Sequence, residues 1–110
     1  MIRRVSAEGI QIGDTLHTSG LLLTAEEIMG NWDGKPVDKL EPADFETLLA
    51  TDPELVLLGT GDRVRFAPRE VTFALARRQV GLEVMDTGAA ARTFNVLAGE
   101  GRRVSAILYL

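Results

Sequence analysis

The amino-acid sequence predicts one α/β domain that contains all 110 residues. A chain of this length, with 45% hydrophobic residues, is long enough for one compact domain with its own core and too short for two domains. After residue 54 the predicted elements alternate as strand, helix, strand, helix, strand, the order typical of a parallel sheet covered by helices. In the N-terminal half, short runs in which apolar and polar residues alternate predict additional strands.

The first predicted elements are β-strands. Residues 4–12 alternate as a half-buried strand, and Gly13-Asp14 follows them as a turn. The next apolar run, Thr15 to Leu23, is interrupted at Ser19-Gly20, which predicts either a hairpin or a bulged strand. The pattern leaves open whether this part forms a second β layer or extends the main sheet.

Two helical segments are predicted in the middle of the chain. Thr24 and Glu27 have the spacing of a capping box and predict a short helix that ends near Met29. A polar loop over Gly30–Pro36 should follow, and it carries the only tryptophan. Leu40–Thr51 is then predicted as a helix, because Pro42 suits its first turn and its apolar residues form a stripe. It should end before Pro53, since the residue preceding a proline disfavours helical geometry.

The next strand and helix are clearly delimited. Leu55–Gly59 is a continuous apolar run, as expected for a strand that is covered on both faces. Pro68 marks the start of a helix that ends before Gly81. If Ala67 is the N-cap, Phe66 and Val71 have the spacing of a hydrophobic staple.

The last third predicts a strand, a helix and a strand. Leu82–Met85 is the strand, and Thr87 is the expected N-cap of a helix over Ala89–Ala98. Val104–Leu110 is the final strand. On the helix, Ala90, Phe94 and Leu97 recur at i, i+4 and i+7 and should face the sheet.

Two glycine-containing corners form the candidate site. Parallel strands place their C-terminal loops at one edge, so Gly59-Thr60-Gly61 and Asp86-Thr87-Gly88 should be neighbours near helix N-termini. Such crevices attract anions, and Arg65, Arg69 and Arg92 could complete a site for a carboxylate or phosphate. The structural alternative is that the glycines permit tight turns while Asp86 and Thr87 cap a helix. Asp86 with Arg92 could form an acid–base pair, but an ion pair that holds the turn is the preferred interpretation.

The sequence predicts no catalytic residue, no cofactor and no metal. A dinucleotide fingerprint that begins at Gly59 requires a third glycine where Val64 stands, and no phosphate-binding P-loop motif is present. The chain has no cysteine and a single histidine, His17, which we interpret as a packed or surface side chain. No serine occupies the nucleophile position of a GxSxG motif.

Charge is distributed unevenly between the two halves of the chain. The net charge is −4, but residues 1–55 carry −7 and residues 56–110 carry +3. This asymmetry favours docking to a charged protein partner, although two differing solvated faces explain it equally well. An acidic chain without basic runs interleaved with aromatic residues argues against nucleic acid. Trp32 could anchor a partner, whereas covering the end of the core is the more common role of such a residue.

The expected location is the cytoplasm. No apolar run reaches the roughly 20 residues that a membrane-spanning helix needs. The N-terminal segment has two arginines without a following apolar region, so it does not predict a secretory signal.

The second half of the chain carries a family resemblance. The matching residues are Leu57 to Gly61, Pro68, Gly81, Glu83 to Thr87, Ala89-Ala90, Arg92 to Asn95, Leu97 and Glu100 to Arg102, together with Gly9, Ile12 and Trp32. Through them the sequence resembles the small Mth-domain family, and most of all its short bacterial members. That family includes an adipogenesis-associated protein and a mitochondrial complex I assembly factor.

The resemblance implies a three-layer domain with a mixed central sheet, helices packed on it and an additional N-terminal β layer. It also implies a binding or assembly function without an established enzymatic activity. The cluster of residues that the family shares maps to Gly59, Thr60, Gly61, Asp86, Thr87, Arg92 and Asn95. Ala91 stands where many relatives have a cysteine, which argues against a thiol-based role. The targeting extension of the mitochondrial branch is not expected here.

Two functions therefore follow from the sequence. The first is a non-enzymatic binding domain that supports assembly of a larger complex, with Trp32 as a contact to the partner. The alternative is binding, or conversion, of a small anion or metabolite in the crevice between Gly59–Gly61 and Asp86–Arg92.

Overall fold

Eight strands and three helices make up the fold in the computed structural model, which describes residues 1–110. The strands are β1 (Ile2–Ser6), β2 (Gly9–Ile12), β3 (Thr15–His17), β4 (Gly20–Thr24), β5 (Ile28–Trp32), β6 (Leu55–Gly59), β7 (Gly81–Met85) and β8 (Val104–Leu108). The helices are α1 (Glu46–Leu49), α2 (Arg69–Arg77) and α3 (Thr87–Gly99), and two 3₁₀ turns precede α1 at Val37–Lys39 and Pro42–Phe45.

The strands form two sheets. The main sheet has the order β5-β4-β8-β6-β7, and the smaller sheet is an antiparallel meander, β1-β2-β3. Strand β6 is parallel to both β7 and β8, whereas β4 is antiparallel to both β5 and β8. The main sheet is therefore mixed, and β8 joins its antiparallel part to its parallel part.

The main sheet separates two hydrophobic cores because successive side chains of a strand point to opposite faces. On β6, Val56 and Leu58 enter a core formed with α1 and α2. Leu57 enters the other core, which is completed by α3 and by Ile2 and Ile10 of the small sheet. The predicted three-layer α/β domain with an additional N-terminal β layer is confirmed.

The N-terminal strands differ from the prediction in their boundaries. Residues 4–12 contain a tight turn at Ala7-Glu8 and form two strands. Gly9 has φ of +151° and lies against the backbone of His17, so a side chain would not fit there. The run Thr15–Leu23 is divided between the two sheets. Both arrangements that the sequence left open are therefore present. Strands β1–β3 form a second layer, and β4 and β5 extend the main sheet.

The prediction of a helix after Thr24 is wrong. The Thr24 hydroxyl accepts from the amides of Glu26 and Glu27, both at 3.2 Å, and the Thr24 amide donates to the Glu27 carbonyl at 2.8 Å. This capping chemistry closes a hairpin turn, because the following residues pair with β4 as strand β5. Trp32 accordingly ends a strand and does not lie in the predicted loop over Gly30–Pro36.

The helix predicted over Leu40–Thr51 is only partly present. Its first turn, Pro42–Phe45, is 3₁₀, and only Glu46–Leu49 is α-helical. The Asp44 carboxylate accepts from the Glu41 amide at 2.7 Å, which closes the tighter turn. The segment ends at Asp52, whose φ of +58° precedes Pro53.

Both long helices are present, but their caps differ from the predicted ones. Helix α2 begins at Arg69 with Pro68 as its N-cap, and Phe66 is 81% exposed, so the predicted staple is absent. Helix α3 is capped by Asp86, whose Oδ1 accepts from the Ala89 amide at 2.8 Å, and not by Thr87. None of the helices has the length and apolar character that spanning a membrane would require.

Candidate functional site

The two glycine-containing corners are in direct contact at the C-terminal edge of β6 and β7, as strand direction predicts. The Thr60 amide donates to the Met85 carbonyl at 2.9 Å, and the Thr87 amide donates to the Gly61 carbonyl at 2.9 Å. The Gly61 amide donates to the Thr87 hydroxyl at 2.8 Å. These bonds attach the two corners to each other, and a cavity of about 350 Å³ borders both of them on the side of Val5, Ser6 and Ala7.

Gly59 allows α3 to approach the sheet closely. A Cβ at this position would lie 2.9 Å from Leu108 Cδ2, 3.0 Å from Thr87 Cα and 3.1 Å from Ala90 Cβ. Such distances would force Leu108 and the first turn of α3 to shift if a methyl group were added. The glycine is therefore required by packing between β6, β8 and the first turn of α3.

The hydroxyl groups of Thr60 and Thr87 are buried and fully used. Each residue is 2% exposed. Thr60 Oγ1 donates to the Arg63 carbonyl at 2.6 Å and accepts from the Arg65 amide at 3.0 Å. Thr87 Oγ1 donates to the Tyr109 carbonyl at 2.7 Å while it accepts from the Gly61 amide. Both threonines hold loops in place and offer no free polar atom to a ligand.

The remaining predicted site residues are not assembled at one point. Asp86 caps α3, and no ion pair joins it to Arg92, so the preferred structural interpretation of that pair is wrong. The side-chain amide of Asn95 is bound on both sides by the backbone of Ile2. Arg92 is exposed and lies near β1 and beside Gly88, where a Cβ on the glycine would be 3.6 Å from Arg92 Nη1. Arg69 is exposed on α2 and does not border the corners, whereas Arg65 does.

The largest cavity lies next to the corners, and we call it the rim cleft. Its volume is about 830 Å³. It is lined by Pro36, Val37, Asp38, Thr60, Gly61, Asp62, Arg65, Phe66, Tyr109 and Leu110. One wall comes from the 3₁₀ turn after Pro36 and the other from the loop between β6 and α2. The sequence gives little signal for this cleft, because its walls lie far apart along the chain.

Side chains on the floor of the rim cleft are held by polar and aromatic contacts. Tyr109 donates its hydroxyl to the Lys35 carbonyl at 2.7 Å, and its ring meets Trp32 edge-on with centroids 6.4 Å apart. Burial raises the pKa of the Tyr109 phenol above its usual value. Arg65 donates from Nη1 to the Thr60 carbonyl at 2.9 Å and lies 3.5 Å from the Asp62 carboxylate.

Trp32 is half-buried and packs behind the rim cleft. Its indole Nε1 is buried and makes no hydrogen bond in the protein. Among the described residues 1–110, no group of three or more His, Cys, Asp or Glu side chains is arranged to hold a metal ion. The polar chemistry at this edge therefore comes from arginine, backbone amides and single carboxylates.

Comparison with known proteins identifies the family. The model of a family described as a protein of unknown function, DUF498/DUF598, matches residues 2–109. The chain belongs to the DUF498/DUF598 family. One solved member of this fold, a Bordetella pertussis protein described as a Mth938-like domain, is 24% identical with a TM-score of 0.81, covering 98% of this chain and 84% of that one. The predicted resemblance to the Mth-domain family is confirmed.

Relatives of this DUF498/DUF598 protein include bacterial proteins and proteins named as NADH dehydrogenase assembly factors. A Francisella tularensis protein named "13 kDa major membrane protein" is 29% identical over 100 residues, which cover 90% of this chain and 80% of that protein. Human NADH dehydrogenase [ubiquinone] 1 alpha subcomplex assembly factor 3 is 28% identical over 120 residues, 98% of this chain and 65% of the human protein. The chain thus spans about two-thirds of the human relative. A Xanthomonas campestris structure is 35% identical with a TM-score of 0.88, covering 99% of this chain and 83% of that one.

Proposed function

We propose that this DUF498/DUF598 protein is a non-enzymatic binding domain that supports the assembly of a larger protein complex. The human relative that is named an assembly factor supports the proposal from the side of sequence. The observation that carries it in this chain is the rim cleft with Phe66 at its mouth. The proposed occupant is an apolar segment of a protein partner with acidic flanks.

Phe66 gives the rim cleft an apolar anchor. Phe66 is 81% exposed, and Leu110, which also lines the rim cleft, is 47% exposed. Burial of a fully exposed phenylalanine contributes about 1.5–3 kcal/mol. Contiguous exposed apolar groups beside a concave surface are typical of protein interaction sites. A partner that covers Phe66 would fill the cleft and remove this surface from water.

The charges near Phe66 favour acidic groups in the partner. Arg63 and Arg69 lie on either side of Phe66 in the sequence, and both are exposed and free of ion pairs. Asp62 is already paired with Arg65, and Asp38, which also lines the rim cleft, is exposed and forms no ion pair. Unpaired arginines around an apolar anchor steer association with an acidic partner.

Trp32 contributes to docking through Tyr109. The sequence predicts Trp32 as a partner contact, and that role stays a proposal. The indole lies behind Tyr109, a residue that lines the rim cleft. We propose that Trp32 keeps the Tyr109 ring in position for the partner while most of its own surface faces the core.

The alternative function, a small anion bound between the two corners, has weaker support. The polar atoms of Thr60 and Thr87 are occupied, and Asp86 would repel an anion. Of the predicted arginines, Arg65 donates to the Thr60 carbonyl and lies near Asp62, Arg92 lies beside Gly88, and Arg69 does not border the corners. Anion binding therefore does not account for the rim cleft.

Photo-crosslinking tests the proposal. A benzophenone amino acid placed at residue 66 of the full chain, expressed in its native host, should capture one specific partner protein. Phe66→Ser in a pull-down should lose that partner. Phe73→Ser should retain it, because Phe73 is also exposed, at 55%, but does not line the rim cleft. Recovery of the chain alone, or equal recovery by both variants, would contradict docking through this cleft.

A further inference from the structure

A second cavity lies between β1 and the first turns of α3, and we call it the arginine cavity. Its volume is about 290 Å³, and it is separate from the residues that line the rim cleft. It is lined by Ile2, Arg3, Arg4, Val5, Gly88, Ala91, Arg92 and Asn95. Three of the eight lining residues are arginines, and none is acidic.

A β-bulge brings two consecutive arginines to the same cavity. In a regular strand, the side chains of Arg3 and Arg4 would point to opposite faces. The pairing of β1 with β2 shifts register between Ile2 and Arg4, so that Ile2 pairs with Ile12 while Arg4 pairs with Gln11. An extra residue of this kind redirects a side chain. The sequence pattern alone would not place both arginines beside one cavity.

A side chain of α3 fixes the position of the bulge. Asn95 Oδ1 accepts from the Ile2 amide at 3.0 Å, and Nδ2 donates to the Ile2 carbonyl at 2.7 Å. These two bonds attach the start of β1 to the helix that carries Arg92. The polar atoms of Asn95 are thereby occupied, and Asn95 acts as a positioning residue for the arginines.

Two of the three arginines that line the arginine cavity form no ion pair. Arg4 and Arg92 make no ion pair and no side-chain hydrogen bond within the protein. Arg3 has one partner, Asp14, at 3.8 Å, and both side chains are exposed. Asp86 Oδ1 caps α3 and lies near Arg92 without an ion pair, since a Cβ on Gly88 would be 3.4 Å from Asp86 Oδ1 and 3.6 Å from Arg92 Nη1. Clustered like charges repel one another, so an anion bound between them gains electrostatic stabilisation.

We propose that the arginine cavity binds a phosphate group. Guanidinium groups present planar, forked donors that match phosphate oxygens and form charge-assisted hydrogen bonds. Three arginines suit a doubly charged phosphomonoester better than a single carboxylate. A cavity of about 290 Å³ has room for the phosphate and part of the group that carries it. The site does not depend on docking at the rim cleft.

The first test measures binding of inorganic phosphate by NMR. Backbone amide resonances of the full chain are followed during a phosphate titration at constant ionic strength and pH. Saturable shifts should concentrate at Gly88, Ala91, Arg92 and the amides of β1. Arg4→Gln and Arg92→Gln should each weaken the dissociation constant by about tenfold, the usual consequence of losing one charge-assisted contact.

Arg77→Gln is the matched control, because Arg77 is exposed on α2, at the other face of the main sheet. It should leave the dissociation constant unchanged. Equal weakening in all three variants, or shifts scattered over the basic surface, would overturn the proposal. Spectra recorded without phosphate show whether each variant remains folded. Binding of acetate as tight as that of phosphate would overturn the assignment of the ligand class.

A second test distinguishes the source of the phosphate group. Glycerol 3-phosphate and phosphatidylcholine vesicles containing phosphatidic acid carry the same phosphomonoester in soluble and membrane form. Binding of the soluble compound alone, lost in Arg92→Gln, would assign a free metabolite. Co-sedimentation with the vesicles, also lost in Arg92→Gln, would assign a lipid headgroup. Absence of binding to both would overturn the proposal.

Discussion

Asn95 binds the backbone of Ile2 as a neighbouring strand would, with its side-chain oxygen accepting from the amide and its side-chain nitrogen donating to the carbonyl. The two residues are 93 positions apart in the chain. This single side chain is the polar link between α3 and the small sheet. It also explains why an asparagine occupies a partly buried position on a helix.

Replacement of this link should destabilise the protein. In Asn95→Ala, the amide and carbonyl of Ile2 lose their partners, and the free energy of unfolding should fall by about 1–3 kcal/mol. Urea denaturation measures this change, and hydrogen exchange at Ile2 should accelerate. Gln11→Ala is the control, because Gln11 makes only an exposed hydrogen bond to the Gly13 carbonyl. Equal effects of the two substitutions would contradict the assigned role of Asn95.

Two glycines of the same domain should respond in opposite directions to alanine. Gly59→Ala places a methyl group against Leu108, Thr87 and Ala90 and should destabilise the fold by about 1–3 kcal/mol. In Gly99→Ala, at the end of α3, the added methyl group would have no neighbouring atom within 4 Å. It should leave stability unchanged or raise it by up to about 1 kcal/mol. Thermal unfolding of both variants measures the sign of each change in stability. A Gly59→Ala variant as stable as the original protein would show that α3 can move away from the sheet.

The Thr87 hydroxyl should matter for stability more than the Thr87 methyl group. Thr87→Val keeps the shape but leaves the Gly61 amide and the Tyr109 carbonyl unpaired, at a cost of roughly 2–4 kcal/mol. Thr87→Ser keeps both hydrogen bonds and should lose about 1 kcal/mol through the missing methyl group. Chemical denaturation of the two variants measures the difference. The reverse order of stability would contradict the bonding of this corner.

Tyr109 should ionise at a higher pH than a tyrosine in the unfolded chain. Burial raises the pKa of its phenol above 10.0, the value expected in the unfolded chain. The folded state therefore keeps the phenol proton up to a higher pH than the unfolded state does. The contribution of the neutral phenol to folding stability is fully present below pH 10.0 and is lost as the pH rises through the pKa of the folded state. Tyr109 is the only tyrosine, so absorbance of the phenolate reports it directly. A midpoint at or below 10.0, with circular dichroism showing a folded chain, would contradict the buried environment.

Sequence periodicity predicts the elements that have one clear pattern. The apolar run of β6 and the helical spacing of Ala90, Phe94 and Leu97 place these segments correctly. The hairpin at Thr24 is not predicted, because a threonine that accepts from following amides caps a helix or a turn equally well. Whether Ile28–Trp32 becomes a strand depends on pairing with β4, a tertiary contact that local spacing does not encode.

At the candidate site, too, some features are predictable from the sequence and others are not. Strand direction predicts that the corners at Gly59–Gly61 and Asp86–Gly88 meet, and they do. The Thr87 hydroxyl is not available to a ligand because it donates to the Tyr109 carbonyl, which lies 22 residues further along the chain. The convergence of Arg3 and Arg4 depends on a bulge that strand periodicity does not reveal. Backbone direction is thus predictable here, whereas the availability of side-chain atoms is not.

The central position of β8 has a consequence for synthesis on the ribosome. Residues 104–108 emerge after all other strands, and yet they are the only connection between β4 and β6 within the main sheet. Until they leave the exit tunnel, the nascent chain exposes two unpaired, apolar strand edges. This interval is when a chaperone would be needed, and insertion of the last strand should complete folding in one cooperative step.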